Sequence, residues 1–192
     1  MQTKQHIYLV HGYTSNANAN WFPDLKEKLS ADHTEVHIFN MPDSAHPKEK
    51  QWLDFLKNEI DEIKPGSIFI GHSLGCVAIL NFLEDRDLQQ VASLYLISGF
   101  VEETPIDKLA EFVCRKIDYS KFINAVNTRV VIAAKDDDIV PYSYTEILAQ
   151  KLQAEFILLD EGGHFMDRDG FTRFPFLINK IKQELSAPDQ KF

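Results

Sequence analysis

Cysteine is scarce in this 192-residue chain, which holds only Cys76 and Cys114. Neither sits at a framework or metal-ligand spacing and both fall in apolar stretches, so a disulfide scaffold and a structural zinc are excluded and the reduced thiols of a cytoplasmic protein are expected. Basic charge is also in short supply. Against 29 Asp and Glu stand 20 Lys and Arg, a formal net charge of −9, with no basic run to grip a phosphate backbone, so nucleic acid is not an expected partner. Long apolar runs are missing as well. The first, Ile7-Tyr8-Leu9-Val10, stops at His11, too short for the apolar part of a signal peptide, and no stretch approaches the length of a membrane span. Internal repeats and low-complexity segments are absent, and Ala187 to Phe192 reads as a frayed tail. With 44% hydrophobic residues the chain is long enough for one well-buried core and short for two, which predicts a single domain over residues 1–192.

What is present is an alternation of short apolar runs and longer helix-patterned ones. Ile7–Val10, Val36–Phe39, Ile68–Ile70, Ala92–Ile97, Arg129–Ala134 and Phe156–Leu159 read as six strands. They are continuously apolar rather than alternating, as parallel strands covered on both faces should be. Between them fall helical patterns at about Trp21–Ala31, Lys48–Ile63, Leu74 onward, Tyr142–Leu152 and Arg173–Leu185. Strand–helix alternation of this kind predicts an α/β fold, a doubly wound parallel sheet with helices on both faces. The only long insertion, Phe100 to Asn127, should carry one or two short helices around Leu109–Val113 and Phe122-Ile123, and is a candidate cap.

The chemistry concentrates where strands end. Gly71-His72-Ser73-Leu74-Gly75 joins an apolar strand to an apolar helix, the setting of a nucleophile elbow, in which the two glycines lack the β-carbons that would obstruct a sharp turn presenting Ser73. The helix N-terminus then points at the serine, and the backbone N–H of Leu74 can face a developing oxyanion. A serine hydroxyl needs a base, and the base needs a group that fixes its tautomer. Candidates follow the fifth and sixth strands: Lys135-Asp136-Asp137-Asp138 and Gly162-Gly163-His164-Phe165. In an open α/β sheet the carboxyl ends of separate strands meet at one crevice, and the order Ser, Asp, His is the order this fold class uses. Two bland roles compete for the acidic triplet: capping the helix that starts near Pro141, or holding a divalent cation. Cys76, one turn beyond Ser73, is expected to pack in the core, His11 and His72 to shape their turns, and Trp21 and Trp52 to be core aromatics, with Trp21 also positioned to line a pocket.

Taken together, His11-Gly12-Tyr13-Thr14-Ser15, Asn40-Met41-Pro42, Gly71-His72-Ser73-Leu74-Gly75-Cys76, Ser98-Gly99-Phe100, Asp136-Asp137-Asp138-Ile139-Val140-Pro141 and Gly162-Gly163-His164-Phe165 occur in that order across nearly the whole chain. In this the chain resembles the α/β-hydrolase superfamily, and more closely the small YdeN-like serine hydrolases, the group that includes retinoblastoma-binding protein nine. The resemblance implies a trimmed, six-stranded sheet of order 2-1-3-4-5-6 and a catalytic triad. Ser73 would be the nucleophile, His164 the base and Asp137 the acid, chosen because it stands four before Pro141. The second oxyanion donor would be the N–H of Tyr13. No metal or cofactor is needed.

The expected activity is cleavage of a small-molecule carboxylic ester or related acyl substrate through an acyl-enzyme. An amidase or peptidase would use the same residues, and a non-catalytic interaction protein could keep the fold, although no triad member is missing. A flavodoxin-like nucleotide binder would want a phosphate loop after the first strand, and His11-Gly12-Tyr13-Thr14-Ser15-Asn16 has one glycine and no P-loop lysine.

Overall fold

A computed structural model describes residues 4–31 and 33–186; the expected tail at 187–192 lies outside them. Six strands, β1 (Gln5–Val10), β2 (Thr34–Phe39), β3 (Ser67–His72), β4 (Val91–Ile97), β5 (Thr128–Ala134) and β6 (Glu155–Leu159), form one sheet in the order β2-β1-β3-β4-β5-β6. Every neighbouring pair is parallel. Chain order therefore reverses between β1 and β3, and the crevice beyond their carboxyl ends is the place where such sheets bind ligands. Register fixes what meets there. Val10 pairs with Gly71, so His11-Gly12 and His72-Ser73 emerge side by side, and His72 pairs with Ile97, bringing Ser98 to the same edge.

The helices are α1 (Phe22–Leu29), α2 (Glu49–Glu59), α3 (Leu74–Glu84), α4 (Ala110–Val113), α5 (Tyr119–Ala125), α6 (Tyr142–Leu152) and α7 (Pro175–Ser186). Alternate residues of each strand enter two apolar layers. Tyr8, Val10 and Phe69 pack against Trp52 and Leu56 of α2, against α3 and against Leu148 of α6. On the other face, Ile7, Leu9, Ile68 and Ile70 pack against Phe22 and Leu25 of α1 and Leu177, Ile178 and Ile181 of α7. Helix α3 lies deepest, with ten of its eleven residues buried, because it carries the elbow and is covered from both sides. Gly75 permits that depth: a β-carbon there would stand 2.0 Å from the carbonyl oxygen of Val10.

Element boundaries differ from expectation where tertiary contacts take over. The second helix stops at Glu59 rather than Ile63, because the Arg86 guanidinium donates to the carbonyls of Ile60 and Asp61 at 3.1 and 3.0 Å and draws the chain away from helical bonding. Ile60 and Ile63 lie beyond the helix and are still buried. The first helix ends at Leu29, where Ser30 turns extended. Pro175 opens α7, as a residue with no N–H suits the first helical turn. In the insertion, α4 and α5 fall on the two expected segments, and Phe112 and Phe122 anchor them to the α2/α3 layer. Cys76 is fully buried with its Sγ toward the Ile97 carbonyl. Cys114, by contrast, is exposed, because α4 is a short helix whose burial falls on Phe112.

Candidate active site

Ser73 sits at the turn between β3 and α3 with φ 55° and ψ −122°. That backbone is strained for a residue with a β-carbon, and it is held on one side by the Ser73 N–H bond to the Ile97 carbonyl at 2.8 Å. Against its side chain lies Gly12, where an added β-carbon would be 2.8 Å from Ser73 Cβ. Only glycine therefore lets the loop after β1 approach the elbow so closely. His11 locks that loop: its Nε2 accepts the Met41 N–H at 3.0 Å, so the proton resides on Nδ1, which donates to the Gly12 carbonyl at 2.8 Å. Burial lowers the His11 pKa and keeps the ring neutral.

The geometry brings Asp137 and His164 together. His164 Nδ1 lies 2.9 Å from Asp137 Oδ2 and 3.1 Å from Oδ1, with both side chains almost wholly buried. Asp137 has no spare acceptor capacity: Oδ1 takes the N–H groups of Ile139 and Val140 at 2.9 Å each, and Oδ2 also takes the Ser98 hydroxyl at 2.8 Å. Burial alone would raise its pKa, but the hydrogen bond and charge of His164, together with the Val140 and Ile139 N–H groups, more than offset that and hold the carboxyl below its ordinary value. An ionised Asp137 makes Nδ1 the protonated nitrogen of His164 and leaves Nε2 with a lone pair when the ring is neutral.

Asp136 and Asp138 do not join them, and neither caps the helix after Pro141. Asp136 accepts the N–H groups of Gly162 and Gly163 at 2.9 Å each, and Asp138 pairs with Arg168. Successive side chains at a strand end diverge, so the triplet cannot converge on one ion. The group of the described residues that could hold a metal is instead His6, Glu35 and His37, near the amino ends of β1 and β2 and so at the far end of the sheet. The loop carrying His164 is fastened at both ends: Asp136 holds its start, and Asp169 Oδ2 accepts the N–H groups of His164 and Met166 at 3.0 and 3.2 Å. The His164 carbonyl accepts from His72 Nε2 at 2.8 Å. His72 is fully enclosed, and burial followed by the neighbouring His164 lowers its pKa to about 3, so it stays neutral with its proton on Nε2.

A small cavity of about 70 Å³ opens between these groups, lined by Gly12, Tyr13 and Ser73 beside His72 and His164, and roofed from the insertion by Thr104, Ile106 and Leu109. The backbone N–H groups of Leu74 and Tyr13 make no hydrogen bond among the described residues. Leu74 is the first residue of α3, where a free N–H is intrinsic to a helix end. Trp21 does not reach the cavity; it is buried between Phe22, His72 and Phe174. Sequence reasoning missed Ser98, Asp169 and Asn20. Ser98 was legible only as the end of β4, in Ser98-Gly99; nothing local announces the other two, because each accepts from backbone N–H groups, Asn20 from a distant loop and Asp169 from its own.

A family model described as serine hydrolase matches residues 7–183. YdeN of Bacillus subtilis is 39% identical over 186 residues, which cover 96% of this chain and 97% of that protein. Serine hydrolase RBBP9 of Rattus norvegicus is 26% identical over 149 residues, 77% and 76% of the two chains. The crystal structure of the B. subtilis ydeN gene product superposes with a TM-score of 0.88 at 37% identity, covering 96% of this chain and all of that one (100%). The α/β-hydrolase sheet, the strand order and the matched family model lead to one identification: the chain belongs to the serine hydrolase family.

Proposed function

We propose that this chain hydrolyses a small carboxylic ester or related acyl compound, with Ser73 as nucleophile, His164 as general base and acid, and Asp137 as the group that orients His164. The observation carrying this reading is that His164, its Nδ1 committed to a buried carboxylate, lines the same cavity as a serine held on a strained elbow. His164 Nε2 takes the Ser73 proton as Oγ attacks the carbonyl carbon. The resulting oxyanion lies toward the N–H groups of Leu74 and Tyr13, which are available because nothing else uses them. His164 then returns the proton to the departing alcohol, leaving an acyl-Ser73. A water enters, gives its proton to Nε2, attacks the acyl carbon, and Ser73 regains the proton as the acid leaves.

Residues 100–127 act as a partial cap over this cavity. The free thiols fit a reducing, cytoplasmic setting, and no helix of the described residues is long and apolar enough to cross a membrane. The reading is tested by mixing the protein with p-nitrophenyl acetate. A burst of p-nitrophenol equal to the protein concentration, or an acetyl adduct on Ser73 in the quenched protein, is expected, and Ser73→Ala should abolish both. Turnover that survives Ser73→Ala refutes it. A matched p-nitroanilide, run in parallel, measures how far the same residues can expel an amine.

A further inference from the structure

Five buried side-chain polar atoms have no hydrogen-bond partner among the described residues: Ser15 Oγ, Asn20 Nδ2, Trp21 Nε1, His72 Nδ1 and Asn81 Oδ1. Three of the five belong to residues that line the cavity shared by Ser73 and His164, namely Ser15, Asn20 and His72. A buried polar group left unpaired costs about 1–3 kcal/mol. Such a cost gathered at one cavity marks the place where an incoming molecule makes the bonds.

Their chemistry is fixed by their other contacts. His72 Nε2 donates to the His164 carbonyl, so Nδ1 offers a lone pair. Asn20 Oδ1 accepts the Asp167 N–H at 3.1 Å, which orients the amide and leaves Nδ2 as a donor. Asn20 is only 9% exposed and takes φ 54°, a backbone region that asparagine tolerates better than most residues. Ser15 Oγ can donate or accept. One acceptor, one donor and one hydroxyl thus belong to residues of this one lining, while Ile106, Leu109, Ile139, Val140 and Met166 supply its apolar part. No Lys, Arg, Asp or Glu lines the cavity, so a charged substituent would lose its hydration and find no countercharge.

We infer that the acyl group taken by this enzyme carries a neutral hydroxyl or carboxamide, held by Asn20 Nδ2, His72 Nδ1 and Ser15 Oγ, with its carbon skeleton on the apolar lining. This rests on the serine hydrolase reading above. The cavity is assigned to the acyl group because that is the part that stays bonded to Ser73 while the alcohol departs. Asn20 and Ser15 are then specificity residues, outside the proton-transfer chain.

The test compares four p-nitrophenyl esters of similar size: butyrate, 3-hydroxybutyrate, the half-amide of succinate and the half-acid of succinate. The hydroxy or the amide ester should exceed butyrate at least tenfold in kcat/KM, since a site built to hydrogen-bond a group discriminates against analogues that lack it, and the charged half-acid should be the poorest. Asn20→Asp keeps the acceptor for Asp167 and the tolerated backbone but replaces the donor with an acceptor. It should lower the polar-to-butyrate ratio by roughly tenfold, and Ser15→Ala should lower it by a smaller factor. Butyrate as the best wild-type substrate, or an undiminished ratio in both variants, overturns this inference and leaves the hydrolase reading standing. Failure of all four esters to acylate Ser73 overturns both.

Discussion

Replacing Asp137 by Asn probes the site most finely, because the four donors around this carboxylate dictate how the amide must sit. Oδ1 receives two backbone N–H groups, from Ile139 and Val140, and an amide NH2 placed there would confront two donors. The carbonyl oxygen of the new side chain therefore stays with them, and the NH2 takes the place of Oδ2, facing Ser98 Oγ and His164 Nδ1. The Ser98 hydroxyl can rotate and accept. His164 cannot adapt without cost: Nδ1 must give up its proton to accept from the amide, the proton moves to Nε2, and the atom that should take the Ser73 proton is already occupied. The amide also cannot stabilise an imidazolium. The loss in kcat/KM should be roughly three to four orders of magnitude, about 4–5.5 kcal/mol of transition-state stabilisation. Stability should fall by no more than about 1–2 kcal/mol, because the Ile139 and Val140 N–H groups keep their acceptor and the Ser98 hydroxyl and His164 ring can each accept from the new amide. Rates on p-nitrophenyl acetate and thermal unfolding of the same preparation measure both quantities. A variant that folds normally and loses less than tenfold would show that this carboxylate does not set the His164 tautomer, and the mechanism built on it would fall.

Ser98→Ala removes one donor to Asp137 and leaves the others, so it should cost roughly tenfold in kcat/KM, read by the same ester assay. Asp138→Ala breaks an exposed pair with Arg168 and should move the melting temperature very little, whereas Asp136→Ala frees the Gly162 and Gly163 N–H groups and should slow turnover more than Asp138→Ala does, through a loosened His164 loop. Acid should destabilise the fold in a specific window. His72 takes up a proton near 6.5 when unfolded and only near 3 when folded, so between these values the unfolded state binds more protons and stability falls as pH falls, by up to about 1.4 kcal/mol per unit. His72→Gln keeps a donor for the His164 carbonyl and cannot titrate; its stability should decline less steeply than wild type between pH 6.5 and 5 in urea unfolding, and an equal decline would contradict the assignment.

The fold was legible because its signals are local and redundant. Six mostly apolar runs, five of them ending in a loop with glycine or acidic residues, point to parallel strands covered by helices, and Gly71-His72-Ser73-Leu74-Gly75 fixes which turn is the sharp one. The meeting of Asp137 with His164 could be anticipated since both follow strands of one sheet, and the resemblance singled out Asp137 from a triplet that composition could not divide. The end of α2 was not legible, because it is set by Arg86, a residue 26 positions from Ile60. The parts played by Asp136 and Asp169 were not legible either: each holds the His164 loop through backbone N–H groups, and a backbone donor carries no residue-type signal. Asn20 reads in the sequence as one more polar loop residue. Only its place beside the elbow, with an amide oriented through Oδ1 and an Nδ2 that has no partner among the described residues, distinguishes it.

The central claim is that Ser73 is the nucleophile, and a fluorophosphonate tests it without knowledge of the substrate. The folded protein should be labelled at a single residue, with the modified peptide containing Gly71-His72-Ser73-Leu74-Gly75 and the phosphonate on Ser73, and labelling should vanish in Ser73→Ala. A label on Ser98 or any other serine, or one of equal rate in Ser73→Ala, would contradict the account.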